Sequence, residues 1–111
     1  YLIRWSVGER LRQEGITVVD AATGAEARRK LDDDIRVVVL DVKLPDADGL
    51  QLLAEFNGSH PGVAVIMITA HGSEDMAEIA MGLGAVGFLR KPFDVEQLVQ
   101  FVLEARDDAA Q

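Results

Sequence analysis

Cysteine is absent from the 111 residues, so disulfides and thiolate metal sites are excluded and nothing marks an oxidising compartment. Long apolar runs are absent too. The longest stretch is about six residues, far short of the roughly 20 that cross a bilayer, so no membrane role is expected. No charged-then-apolar leader opens the chain, which makes cytoplasm the expected location. Basic charge is scarce: 11 Lys and Arg face 19 Asp and Glu, a net charge of −8. Phosphate backbones attract clustered cations, so direct nucleic-acid binding is not expected. The basic run Arg28-Arg29-Lys30 reads as a solvated helix face. Linkers, repeats and low-complexity segments are lacking, so one domain is expected over residues 1–111.

What is present suits a globular core, with 49% hydrophobic and 27% charged residues. Residues 2–14 read as a helix with Ile3, Val7 and Leu11 on one stripe, Trp5 opposite it, and Gly15 as its stop. Residues 16–20 (ITVVD) form a β-branched run, a predicted strand. Thr23-Gly24-Ala25-Glu26 has capping-box form and predicts a helix through about Asp32. Ile35 to Leu40 reads as a strand buried on both faces. A helix starts at Asp48-Gly49, with Leu50, Leu53 and Phe56 on its stripe, and is expected to close at Asn57-Gly58. Val63 to Ile68 is a second buried strand. Ser73 would cap a fourth helix, Val86 to Leu89 is a short strand, and Asp94 with Gln97 opens a last helix that frays from Asp107. Such alternation predicts right-handed crossovers and a parallel sheet with helices on both faces.

Three strands end in polar side chains: VVVLD at Asp41, VIMIT at Thr69, and GFLRKP carrying Lys91. A parallel sheet brings its carboxyl ends to one crevice. A carboxylate there can act as a nucleophile toward a phosphoryl donor, giving an acyl phosphate. The developing charge then needs a cation and a hydroxyl donor, which Lys91 and Thr69 would supply. A magnesium ion would take oxygens from Asp41 and from the backbone carbonyl of Lys43. Each residue also has a plainer reading. A strand-end Asp is often a cap, Thr69 alone is a β-former, and Lys91 alone is a solvated lysine. Asp46 and Asp48 read as a turn acid and a helix cap, and His60 as a loop residue.

The segments VVVLD41-VKLPDADG49, IT69-AH71 and GFLRK91-PF93 together resemble the receiver domain of two-component response regulators, in order and spacing and over essentially the whole chain. The resemblance implies a flavodoxin-like, three-layer α/β fold and phosphotransfer from a sensor histidine kinase to Asp41. It implies Thr69 and Lys91 as partners of the phosphoryl group, a cis bond before Pro92, and Phe88 as a switch aromatic, for which core packing is the alternative. Lys43 and His71 stand where side chains can overhang the pocket, with an unconnected surface imidazole as the alternative for His71. It also implies an output surface over residues 73–105, which can mediate homodimerisation, and resembles receivers attached to transcriptional activators.

One departure stands out. The family opens with a strand ending in an acidic pair that holds the metal with the phosphoacceptor, whereas Tyr1 to Trp5 aligns with the helix after it. In the family's order, 2-1-3-4-5, that strand is internal. The expectations are therefore an N-terminally incomplete domain, strand exchange between chains, or closure of the two flanking strands on each other, with weak magnesium binding and weak phosphorylation. Two other readings are a non-phosphorylatable interaction module and an Asp-nucleophile phosphatase. The phosphatase would want a second acid in DxD form, where Asp41-Val42-Lys43 has lysine. No enzyme activity is expected.

Overall fold

A computed structural model describes residues 2–19, 21–69, 74–91 and 94–109, and the side chains of 8–73 and 75–106 within those ranges. Two helices come first and strands and helices then alternate as expected: α1 (Leu2–Gln13), α2 (Gly24–Lys30), β1 (Val37–Asp41), α3 (Gly49–Ser59), β2 (Ala64–Thr69), α4 (Glu74–Gly82), β3 (Gly87–Arg90) and α5 (Val95–Ala109). The three strands pair in parallel in the order β1-β2-β3, with Asp41 opposite Ile68 and Thr69 opposite Arg90.

Period-two alternation along β2 builds the layers. Ala64 and Ile66 point to one face, where Leu11 of α1 and Leu98, Val99, Val102 and Ala105 of α5 pack. Val65 and Met67 point to the other, onto Leu52, Leu53 and Phe56 of α3 and Ala80 of α4, with Ala27 of α2 at the margin. Both faces are covered, so β2 is almost wholly buried. This is the flavodoxin-like α/β sandwich.

Helix starts follow local chemistry. Thr23 Oγ1 accepts from the Glu26 amide (3.1 Å) and Asp48 Oδ1 from the Leu50 amide (2.9 Å). Asp94 does the same for Glu96 (2.9 Å). Gly15 ends α1 at φ +79, a left-handed position that glycine takes without a Cβ clash. Several boundaries differ from expectation. α2 stops at Lys30 because Leu31 turns extended and packs against the α3 side of the core. α3 runs through Asn57-Gly58 to Ser59 and is capped by His60, whose amide donates to the Phe56 carbonyl. Residues 107–109 are helical rather than frayed. The expectations for Tyr1, Asp20, His71, Ser73, Pro92 and the side chains of Ile3, Trp5 and Val7 lie outside the described residues.

The largest correction concerns the expected strand at 16–20. Residues 16–19 carry no strand pairing, and Val19 is exposed. Among the described residues β1 pairs on one side only, and between its other edge and residues 16–19 lies a cleft of about 730 Å³. Leu11, Ile16, Val18, Val37, Val39 and Leu98 line it, and Asp41 and Lys91 close one end. The gap separates the β-branched run from the one edge it could pair with. For the same reason β1 is half-buried at Val37, Val38 and Val39 instead of buried on both faces.

Candidate functional site

Asp41 is the last residue of β1, Thr69 the last of β2, and Lys91 follows the last residue of β3. Parallel pairing aligns these ends, and the structure joins two of the three directly. Lys91 Nζ donates to Asp41 Oδ2 at 3.0 Å, although β2 lies between their strands. Both side chains are about 30% exposed, with values of 29% for Lys91 and 31% for Asp41, so the pair sits at a crevice open to a reactant. Backbone bonding steers the lysine, since the Lys91 amide donates to the Thr69 carbonyl at 2.6 Å. Thr69 is the only polar residue fully buried among the described ones, at 4% exposure.

The other Asp41 oxygen is also engaged. Oδ1 accepts from the Lys43 amide at 3.0 Å, so the loop after β1 folds back over the carboxylate. That loop is tightly held. Lys43 forms an isolated antiparallel bridge with Asp48, and the Gly49 amide donates to the Val42 carbonyl at 2.8 Å. At Gly49 a Cβ would lie 2.7 Å from Val42 Cα and 2.9 Å from Val42 O, with the Asp41 carbonyl closer still. Only glycine lets the start of α3 seat against the end of β1.

A hard cation takes about six oxygens. The described residues offer the Asp41 carboxylate, already bonded at both oxygens. No group of three or more His, Cys, Asp or Glu that would hold a metal occurs among them.

The remaining predicted residues fall in several places. Phe88 is half-buried against the α3–α4 side of the core, paired in register with Met67. The side chain of Lys43 is exposed. Asp48 is the α3 cap, as expected. His60 caps the C-terminus of α3, its Nδ1 2.8 Å from Ser59 Oγ, away from the strand ends. Arg28, Arg29 and Lys30 are exposed, with Arg28 bonded to Glu55 (2.8 Å), which confirms a solvated face. Two features were missed: the close approach at Gly49 and the reach of Asp46 to α2. Their partners are distant in sequence or are backbone atoms, so no local pattern marks them.

Among the described residues, no helix is long and apolar enough to cross a membrane.

The model of the response regulator receiver domain matches residues 1–103. The transcriptional regulatory protein GlrR of Escherichia coli is 40% identical over 105 residues, 94% of this chain and 24% of its own length. This chain thus spans about a quarter of that curated relative. Among solved structures, the receiver domain of NtrX from Brucella abortus superposes with a TM-score of 0.85 at 34% identity, covering 95% of this chain and 90% of that one. The beryllofluoride-activated NtrC4 receiver domain dimer does so at 0.87 and 37%, covering 96% and 89%. With a carboxylate, a hydroxyl and an ammonium at the strand ends of a flavodoxin-like sheet, the chain belongs to the receiver-domain family of response regulators, the phosphoryl-accepting modules of two-component signalling.

Proposed function

We propose that Asp41 is the phosphoacceptor, with Lys91 and Thr69 as partners of the transferred group. The observation that carries this reading is the 3.0 Å contact of Lys91 Nζ with Asp41 Oδ2 across the crevice. An Asp41 oxygen attacks the phosphorus of a phosphohistidine on a sensor kinase. The new P–O bond forms as the P–N bond breaks, and the histidine leaves with the bonding pair and takes up a proton. Lys91 is placed to follow the charge from the carboxylate to the phosphoryl oxygens, and the Thr69 hydroxyl to donate to one of them. Phe88, half-buried at the neighbouring strand, is the switch aromatic. Its movement would change the 73–105 surface, where Ile79, Met81 and Val86 are about half exposed.

Relatives named as transcriptional regulators support a place in gene control through an attached effector, with the receiver making no nucleic-acid contact itself and acting in the cytoplasm. The NtrC4 receiver is described as a dimer, which favours homodimerisation here through 73–105. The cleft beside β1 is the seat of a further strand, from an N-terminal part of the domain or by exchange from a second chain. Receiver domains generally bind magnesium. Here Asp41 and the Lys43 carbonyl would hold it weakly unless that strand adds carboxylates. The phosphatase reading is disfavoured, because Lys43 occupies the DxD position. No enzyme activity is proposed.

The experiment is acetyl-phosphate labelling followed by intact mass, for the wild type and Asp41→Asn. Label on the wild type alone supports the assignment. Equal label on the variant refutes it, and no label on either favours the interaction module. Strong, magnesium-dependent labelling of the wild type would refute the expected weak metal binding.

A further inference from the structure

Asp46 reads from the sequence as a turn acid in the loop between β1 and α3. Both its oxygens are spent elsewhere. Oδ1 accepts from the Gly24 amide at 2.7 Å and Oδ2 from the Ala25 amide at 3.0 Å, at the start of α2. These are first-turn donors with no intrahelical acceptor, and Thr23 Oγ1 takes the next one, at Glu26. The two elements meet closely. A Cβ on Gly24 would lie 3.0 Å from Ala47 Cβ and 3.1 Å from Leu52 Cδ1, so glycine is what lets the loop reach the helix.

The other end of the loop is the phosphoacceptor site. The Leu44 amide donates to the Ala47 carbonyl (3.3 Å) and Lys43 bridges to Asp48, which makes 43–48 one stiff turn. Its first residue, Lys43, donates its amide to Asp41 Oδ1 at 3.0 Å. A turn gripped by Asp46 therefore carries Lys43 in a set position over the carboxylate. We propose that Asp46 is a positioning residue for Asp41: its two-oxygen hold on the Gly24 and Ala25 amides fixes the 43–48 turn, which in turn keeps the Lys43 amide on Oδ1 and orients the attacking carboxylate. The chemical role assigned to Asp41 rests on the phosphoacceptor reading; the mechanical link does not. Supporting the grip, the two amides hold the Asp46 carboxyl below its ordinary range, as accepted hydrogen bonds favour the charged form.

The test compares Asp46→Ala, Asp46→Asn and Thr23→Ala with the wild type, each shown folded by circular dichroism. Two quantities are read: hydrogen exchange at the Lys43 amide by NMR, and the rate of acetyl-phosphate labelling. Asp46→Ala is expected to speed Lys43 exchange and slow labelling, each roughly tenfold, the scale at which outer partners of a site act. Asp46→Asn keeps one acceptor oxygen and is expected to fall between. Thr23→Ala loosens the same helix start without cutting the link, and should leave both readouts at the wild-type level. Wild-type Lys43 exchange in Asp46→Ala overturns the proposal, as does Thr23→Ala reproducing its effects. Should Asp46→Ala not fold, the Asn variant decides by the same criteria. A wild type that takes no label sinks the phosphoacceptor reading alone, and Lys43 exchange then judges the link.

Discussion

The same substitution at two glycines of one helix is expected to act with opposite sign. Gly49 opens α3 and Gly58 lies near its end. A Cβ at Gly58 meets nothing within 4 Å, and its φ is not positive. Gly58→Ala therefore only reduces the freedom of the unfolded chain and should stabilise by about 0.5 kcal/mol. A Cβ at Gly49 would meet Val42 Cα at 2.7 Å and Val42 O at 2.9 Å, backbone atoms of the segment leaving β1. These cannot rotate away as a side chain would, so α3 must lift from the strand end. Overpacking of this kind costs roughly 1–3 kcal/mol, and the helical gain at a first position offsets little of it. The net expectation is destabilisation of about 2 kcal/mol. At about 4 °C per kcal/mol for a chain of this size, Gly49→Ala should lower Tm by some 8 °C and Gly58→Ala raise it by about 2 °C. Thermal unfolding followed by circular dichroism reads both. Because the displaced backbone includes the Asp41 carbonyl, Gly49→Ala should also slow acetyl-phosphate labelling of folded protein. A neutral Gly49→Ala would refute the packing argument, and a destabilising Gly58→Ala the entropic one.

Three further outcomes are expected. Phe56, 2% exposed in the α3 side of the core, should cost roughly 3–5 kcal/mol when cut to alanine, read as a lower urea midpoint at constant slope. Lys91→Met removes the cation at Asp41 while keeping most of the chain length, and should slow labelling on the order of a hundredfold with little change in melting. Asp46 bears on acid stability. Its folded carboxyl is depressed by the Gly24 and Ala25 amides, so its contribution is whole above the unfolded value near about pH 4 and is lost as pH falls through the lower folded value. Urea midpoints from pH 6 to 3 should fall less steeply in Asp46→Asn than in the wild type; identical slopes would refute this.

Much of the molecule was legible in the chain because it depends on near neighbours. The caps Thr23, Asp48 and Asp94 and the stop at Gly15 are all satisfied by atoms a few residues away, and the apolar run of Val63 to Ile68 is a buried strand by its composition. The order of helices and strands implied a parallel sheet, and parallel strands put Asp41, Thr69 and Lys91 at one edge before any distance was known. Only the tertiary structure decided what crosses the sequence. Residues 16–19 have the β-branched composition of a strand yet form none, because a strand exists only with a partner to bond and the cleft holds them apart from the β1 edge. Half-burial of β1 has the same cause. The grip of Asp46 on α2 spans 22 residues, and Gly49 is required by the backbone of a strand rather than by its own helix. Local hydrogen bonding and side-chain period are written in the order of residues; pairing edges, close backbone approaches and bonds between loops arise only once distant segments are brought together.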